Sequence, residues 1–445
     1  MRYNIPAGAI QIIQELKKNG HKAYLVGGCV RDLLMGREPH DWDICTSALP
    51  DQMKECFSQY KVIETGLKHG TLTVILDDQA YEVTTFRVDG EYSDGRHPDE
   101  VAFTSDLDAD LARRDFTMNA IAMCEDGFIY DPYGGIEHIK HHLLACVGNP
   151  WKRFEEDGLR IMRALRFSST LGFRIGITTT NAMLSSRGYL RNVSVERIAD
   201  ELRKILSGRN PGMKLYLYHD ILTVFWPEIS ACVGFNQKNI HHNFDVWTHI
   251  CHAIDYADTD DIIVRLALLL HDIGKPKCFT VDEQGRGHFY GHPPVCAAMA
   301  DDMLRRLKFD NETREAVVQL IEHHDATIVP TEKCVRRWLN KLGEEQFRRL
   351  LHVKVGDILA HNPETIGNRV EDIYAARKIL KDVLAQKQCF SFKDLAISGR
   401  DILALGIPQG QKVGEILKEI LRQVIDGEIE NDRNALLKKV ETLKY

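Results

Sequence analysis

Near residue 145 the hydrophobic pattern of this chain changes period, and the change demands a fold of two textures. Before it, short runs rich in Val, Leu and Thr recur at Ala23-Tyr24-Leu25-Val26, from Thr71 to Leu76 and from Tyr81 to Arg87. Such runs suit half-buried strands. A helical pattern from Gln11 to Lys18 precedes them, so the head is mixed α and β. After it, Leu159, Ile161, Met162, Leu165 and Phe167 follow helical spacing, and the rest of the chain reads as helix almost throughout. Proline disfavours helix at the residue before it, which puts breaks at Asn149-Pro150 and Asn210-Pro211. At 445 residues the chain exceeds a single core. The expected fold class is an α+β head followed by all-α regions.

Charge is informative locally rather than globally. A formal net charge of −7 argues against a chain that coats nucleic acid without selectivity. Residues 151–210, however, carry twelve Lys and Arg against six Asp and Glu, so RNA or a nucleoside triphosphate would meet the chain there. The eleven cysteines form no CxxC pair, which signals neither a disulfide framework nor a thiolate zinc site. Residues 1–20 lack the apolar stretch of a signal peptide, and no run approaches the ~20 residues that span a bilayer. A soluble, cytoplasmic protein with no membrane partner is expected.

In LVGGCVRDLL a strand runs into Gly27-Gly28 and a helix begins, so backbone N–H groups can approach phosphate oxygens unobstructed by a Cβ. Arg31 on the first turn adds a cation. In HDWDI, Asp41 and Asp43 are one residue apart, and on a strand that spacing turns both carboxylates to one face. Two such carboxylates repel unless a cation sits between them, which suits Mg²⁺. Each motif also has a plain reading: a packing turn for the glycines, an exposed strand end for the aspartates. Asp157 and Arg160 are three residues apart, neighbours on one helix surface, and Arg163 and Arg166 continue the spacing. A solvated basic face with one ion pair would look the same.

Together, a Gly-Gly turn, an Arg on the next helix and a DxD a dozen residues later resemble the nucleotidyltransferase superfamily that includes DNA polymerase β. LVGGCVRDLLMGREPHDWDI is similar to the class II tRNA nucleotidyltransferases, the family of bacterial CCA-adding enzymes and poly(A) polymerases. RRDFTMNAIA at 113–122, DPYGG at 131–135, EEDGLRIMRALRF at 155–167 and SVERIADEL at 194–202 follow in the family's order. Cys29 departs from the commoner alanine. The resemblance implies a polymerase β-like head and template-independent addition of C, C and A to the 3′ end of tRNA from CTP and ATP, by two-metal phosphoryl transfer. Asp41 and Asp43 would be catalytic and hold Mg²⁺, with Glu82 a third carboxylate. Gly28, Arg31 and Arg114 would contact the incoming nucleotide. Asp157 and Arg160 would offer a base-like hydrogen-bonding edge to C and then A, while Arg163 and Arg166 hold phosphate or orient that pair. The polar stretch Arg87 to Pro98 matches the flexible loop that accompanies full CCA addition. A poly(A) polymerase or a partial CC- or A-adding enzyme shares these motifs.

Histidines concentrate between residues 240 and 325. His271-Asp272 after an apolar helix, followed by Gly-Lys, resembles the HD phosphohydrolase superfamily. The ligands implied are His249, His271, Asp272 and Asp357, with His292 and His323 or His324 as extra candidates for a second ion. A mixed N/O set favours Mn²⁺, Fe²⁺, Co²⁺ or Ni²⁺ over Mg²⁺. The last segment, from Ile397 with a later Asn431, resembles the part of bacterial CCA-adding enzymes that grips the tRNA elbow; Gly410 and the helix after it would meet a phosphate backbone, or serve as a cap and a solvated face. The expected division is a catalytic head at 1–148, a helical neck at 149–230, an HD-like domain at 231–360 and a tail at 361–445. An alternative of another class is an HD phosphohydrolase with a degenerate RNA-binding head, against which the presence of Asp41, Asp43, Asp157 and Arg160 counts.

Overall fold

The first helix, α1 (Ala7–Lys18), buries Ala9, Ile12, Ile13 and Leu16, the i, i+3, i+4, i+7 stripe of an amphipathic helix on a sheet. In the computed structural model, which describes residues 3–64, 66–67, 70–89 and 101–443, the chain forms two compact units. One comprises Met1–Arg209 with Leu217–Pro227, the other Asn210–Tyr216 with Glu228–Tyr445.

The first unit opens as a mixed α/β head. After α1 come β1 (Ala23–Val26), α2 (Gly28–Leu34), β2 (Trp42–Thr46), α3 (Pro50–Cys56), β3 (Lys61–Ile63), β4 (Thr71–Leu76), β5 (Gln79–Thr85), β6 (Arg87–Asp89), β7 (Val101–Phe103), α4 (Leu107–Ala112), β8 (Ala122–Met123), β9 (Ile129–Tyr130) and α5 (Gly135–Lys140). Seven strands make one sheet in the order β3-β4-β5-β2-β1-β8-β9. Strands β2 and β5 run parallel and the other pairings antiparallel. Asp43 therefore lies in register with Glu82, so the topology brings together carboxylates 39 positions apart in sequence. Strands β6 and β7 form a separate ribbon. Residues 90–98 of the polar stretch between them lie outside the described residues.

The helical neck follows a short strand, β10 (Leu143–Leu144), that pairs with β11 (Arg174–Ile175). Asn149 caps α6 (Pro150–Glu156) by accepting from the N–H groups of Trp151 and Lys152, with Pro150 at the first helical position, where its missing N–H costs nothing. Helix α7 (Leu159–Leu171) buries Leu159, Ile161, Met162, Ala164 and Leu165 and ends at Gly172 in the left-handed conformation. Each buried Leu, Ile or Met contributes about 1.5–3 kcal/mol. Helices α8 (Ile177–Ser186) and α9 (Val195–Leu206) complete the neck, and α9 packs along α7. Between α6 and α7 the helix breaks: Asp157 is extended, at φ −143° and ψ 105°. Asp157 and Arg160 thus do not share one helix surface, contrary to the expectation from spacing. The next residue has to be glycine, since a Cβ at Gly158 would lie 2.7 Å from the carbonyl oxygen of Tyr189.

After α10 (Pro211–Leu217) and α11 (His219–Leu222), the second unit is built from helices, with one short hairpin, β12 (Thr280–Val281) and β13 (Gly287–His288). Its centre is α12 (Val246–Tyr256), α13 (Ile262–Leu270), α14 (His292–Arg306), α15 (Asn311–His323) and the long α16 (Glu332–Leu359), which kinks at Gly343 where φ is +77°. Asp245 and Asp261 cap α12 and α13 through the N–H groups of Thr248 and Ile263. Helices α17 (Pro363–Ile366), α18 (Arg369–Ala385), α19 (Gly399–Ala404), α20 (Gln411–Ile425) and α21 (Arg433–Thr442) follow, the last three around a core of Ile402, Ile416, Ile420 and Leu436. All eleven cysteines are free thiols. Among the described residues no helix is long and apolar enough to cross a membrane.

Candidate functional site

Strand β1 delivers the chain to Gly27, whose φ of +76° and ψ of −132° suit glycine alone. A Cβ at Gly27 would stand 3.2 Å from Arg114 Nη1 and 3.4 Å from Asp43 Oδ2. The missing side chain thus keeps a gap open between a guanidinium and a carboxylate. Asp43 sits between buried Trp42 and Ile44 on β2, turned the other way by the strand's alternation. Asp41 is exposed and precedes β2 rather than lying in it, so it extends the row of carboxylates from the strand's end. Burial, then the charge of Glu82, pushes the Asp43 carboxyl up to about 6, with Asp41 adding to the rise and Arg114 opposing it. An excess of negative charge in a partly dry place is a set of donors short of a cation.

The opposite wall is basic, and a carboxylate absent from the sequence reading organises it. Asp110, on α4 and 1% exposed, takes Arg113 through Oδ1 at 2.9 Å and Arg114 through Oδ2 at 3.2 Å. Burial alone would raise its pKa, yet the two arginines hold it below the usual carboxylate value. Arg114 also donates to the carbonyl of Asn119 at 3.4 Å. A cavity of about 190 Å³ opens between these walls, lined by Asp43, Glu82, Thr84, Asp110, Arg113 and Arg114. Carboxylates suited to a hard cation thus face cations suited to a polyphosphate.

The neck arginines are each tied to a named acceptor. Arg160, 8% exposed, donates to Glu156 Oε2 at 2.6 Å, to the Arg153 carbonyl and, through Nη2, to the Arg113 carbonyl at 3.0 Å. Asp157 accepts from Leu159 N–H at 2.9 Å and from Arg197 Nη2 at 3.3 Å. Arg163 forms a two-nitrogen contact with Asp115 Oδ2. Although burial raises the Asp115 carboxyl, Arg163 and Asn119 bring it down to about 2. Arg31 donates to Asn119 Oδ1 at 3.0 Å and Arg166 to Glu201 Oε1 at 3.1 Å. Gly28 opens α2, and a Cβ there would meet only Arg31 Nη2, at an ordinary 3.7 Å.

In the second unit, α12, α13 and α16 bring His249, His271, Asp272 and Asp357 together, all buried. His249 Nε2 lies 3.1 Å from Asp357 Oδ1, 3.3 Å from His271 Nε2 and 3.4 Å from Asp272 Oδ2. His292 and His324 approach the other oxygen of Asp272, at 3.4 and 3.7 Å, and lie 3.1 Å apart through their Nε2 atoms. In His249, His271, His292 and His324, Nδ1 faces a backbone carbonyl. A carbonyl only accepts, so each ring when neutral keeps its hydrogen on Nδ1 and turns Nε2 toward the centre, the tautomer a ligating imidazole needs. Neither oxygen of Asp272 accepts a well-directed hydrogen bond, although Lys275 Nζ is 2.7 Å away. Burial opposes protonation of His271, but Asp272 and Asp357 push it up to about 10.

The structure decides between His323 and His324 and adds one further histidine. His323 faces Trp338 at 5.5 Å between ring centroids, and His324 joins the cluster instead, because consecutive helical residues point about 100° apart. His361, unpredicted, joins Asp357 and His249; its place four residues after Asp357 was the available signal. Among the described residues, the three groups of ligating atoms close enough to share an ion all lie in this second unit. A cavity of about 270 Å³ reaches the cluster, with Lys275, Phe289 and Tyr290 in its lining.

Three family models match in the order of the fold: the poly A polymerase head domain over residues 23–145, the RNA and SrmB-binding site of polymerase A over 172–232, and tRNA nucleotidyltransferase domain 2 over 295–440. A CCA-adding enzyme of Limosilactobacillus reuteri is 32% identical over 444 residues, covering 97% of this chain and 95% of that protein. The chain belongs to the CCA-adding enzyme family. Another CCA-adding enzyme, from Geobacillus kaustophilus, is 35% identical over 437 residues, covering 96% of this chain and 95% of that protein. The crystal structure of the Bacillus stearothermophilus CCA-adding enzyme in complex with CTP aligns with 98% of this chain and 96% of its own, at a TM-score of 0.72 and 31% identity. The chain is accordingly a nucleotidyltransferase with a mixed-sheet head and a mostly helical remainder.

Proposed function

We propose that this CCA-adding enzyme adds C, C and A to the 3′ end of tRNA from CTP and ATP, with Asp41 and Asp43 as the catalytic carboxylates. The observation that carries the reading is the gap at Gly27, bounded by Asp43 on one side and Arg114 on the other. The donor set fits Mg²⁺: oxygen ligands only, with Asp43 raised to about 6 by burial and the charge of Glu82. Two divalent ions bound there would activate the RNA 3′-hydroxyl and offset charge on the leaving pyrophosphate. Arg114, fixed by Asp110, would neutralise the triphosphate, and Gly28 and Arg31 would also contact the incoming nucleotide. Asp157 and Arg160 offer the base an acceptor and a donor from the two sides of a helix break rather than from one helix face. Their present partners, Arg197 and Glu156, are exchanged for the base when it arrives. Positioning and charge supply the catalysis, with no covalent intermediate. Asp41→Ala and Asp43→Ala test this: each should lower nucleotide incorporation by several orders of magnitude in a folded protein, and near-normal incorporation in Mg²⁺ by either variant refutes the assignment.

The same reading divides the chain into a head to residue 148, a neck to 230, an HD-like domain to 360 and a tRNA-binding tail. The second cavity supports a separate metal-dependent phosphohydrolase activity. Its carrying observation is Asp272, buried with both oxygens short of hydrogen bonds and one bare-nitrogen group on each side. His249, His271, Asp272 and Asp357 would hold one transition metal, and His292 with His324 a second through Asp272. A bound metal there would supply an activated water and charge at a phosphate. Lys275 in the lining would neutralise the same phosphate.

A further inference from the structure

Three arginines assigned above to the nucleotide share one ring. The guanidinium carbons of Arg166, Arg31 and Arg163 lie 4.2, 5.3 and 5.5 Å from the centroid of Phe167. The ring belongs to α7, is 7% exposed and is fixed from behind by Phe116, edge-on at 5.7 Å. One of the three arginines comes from α2 and two from α7, so the ring is where the head and neck cations of this unit meet. Cations gathered this closely repel one another. Burial first, then Arg163 and Arg31, depresses the pKa of Arg166 despite the pull of Glu201. Each is pinned by its own acceptors: Asp32 and Asn119 for Arg31, Asp115 for Arg163, Glu201 for Arg166. Asn119 Nδ2 also donates to Asp115 Oδ1 at 3.1 Å, which links the Arg31 and Arg163 anchors. No single one of these acceptors can hold all three guanidiniums. An electron-rich ring face can, because its negative quadrupole attracts every cation placed over it.

We propose that Phe167 is a positioning residue for nucleotide binding, its ring face holding Arg31, Arg163 and Arg166 together against their mutual repulsion. The inference rests on the assignment of those arginines to the nucleotide. An aliphatic side chain of similar volume fills the space but leaves the cations to spread. The residue therefore acts on KM for the nucleotide through charge distribution in the ring, not through volume.

Incorporation of mono-, di- and trifluorophenylalanine at position 167 of the full chain tests this, since fluorine drains the ring quadrupole with little change of shape. The expected result is a stepwise rise in KM for both CTP and ATP, roughly tenfold across the series, with a smaller change in kcat and an unchanged melting temperature. Phe167→Tyr should stay near the parent and Phe167→Leu should resemble the trifluoro variant. A KM that stays flat across the fluorinated series overturns the proposal and leaves Phe167 a packing residue. Arg31→Ala, Arg163→Ala and Arg166→Ala are the controls for the underlying assignment. If all three leave KM unchanged, the assignment of these arginines to the nucleotide fails first, whatever the ring series shows.

Discussion

Replacing Gly27 with alanine separates backbone strain from loss of the site. At φ +76° and ψ −132° an alanine carries a conformational cost of about 1–3 kcal/mol. Its Cβ meets Arg114 Nη1 at 3.2 Å and Asp43 Oδ2 at 3.4 Å, so those groups yield by a few tenths of an ångström rather than clash. Stability should therefore fall only by the strain. Activity should fall much further, because Arg114 is tethered to Asp110 and the methyl fills the gap where the triphosphate must pass. A displacement on the order of 1 Å costs roughly a hundredfold in rate, so a shift of a few tenths together with the filled gap should cost on the order of tenfold. The assay is single-turnover incorporation of CTP on tRNA lacking its 3′ CCA, alongside thermal melting. Gly28→Ala is the comparison, since its Cβ meets nothing closer than 3.7 Å and it should lose less. A Gly27→Ala enzyme with incorporation within twofold of the parent, whatever its melting temperature, would show that the gap at Gly27 is not where the triphosphate passes.

Further outcomes follow from the neck and the second cavity. Asp157→Ala or Arg160→Ala should lose ~1–3 kcal/mol of discrimination, admitting U or G in competition assays; an unchanged preference places base selection elsewhere. Asp115 has a folded pKa depressed to about 2, so its pairing with Arg163 stabilises fully above the ordinary carboxylate value and is lost as pH falls through 2. That shift corresponds to on the order of 2 kcal/mol, and the gap in urea midpoint between the parent and Asp115→Asn should close between pH 4 and pH 2; a gap of constant size contradicts the ion-pair account. Changing His271 and Asp272 together to Ala should abolish transition-metal binding and any hydrolysis of cyclic or aryl phosphates while nucleotide addition in Mg²⁺ persists. Metal analysis showing no transition metal in the parent under any loading condition overturns the metal centre.

What was legible in the sequence depended on how local the signal is. The strand from Ala23 to Val26, the helix start at Pro150 and the break before Pro211 are written in neighbouring residues, and the structure has them there. Asp43 was readable from its DxD, but its pairing with Glu82 depends on β2 and β5 lying side by side and parallel, which no local pattern encodes. Asp110 was missed because an aspartate on a short helix is ordinary until its two arginine partners are seen. The break at Asp157 is hidden in the sequence because the apolar spacing on its two sides continues as if the helix were unbroken. In the histidine segment, the choice between His323 and His324 turned on helix phase, which adjacent identical residues cannot reveal.

That the protein itself selects each base and joins all three at one carboxylate site is checked by sequencing the product. The purified enzyme, tRNA ending before its CCA, Mg²⁺ and all four nucleoside triphosphates are incubated together, and the added 3′ residues are read out. The expected product carries C, C and A in that order and then ends, with no product from Asp43→Ala. A run of adenylates, arrest after two cytidylates, or indiscriminate use of U and G would contradict it.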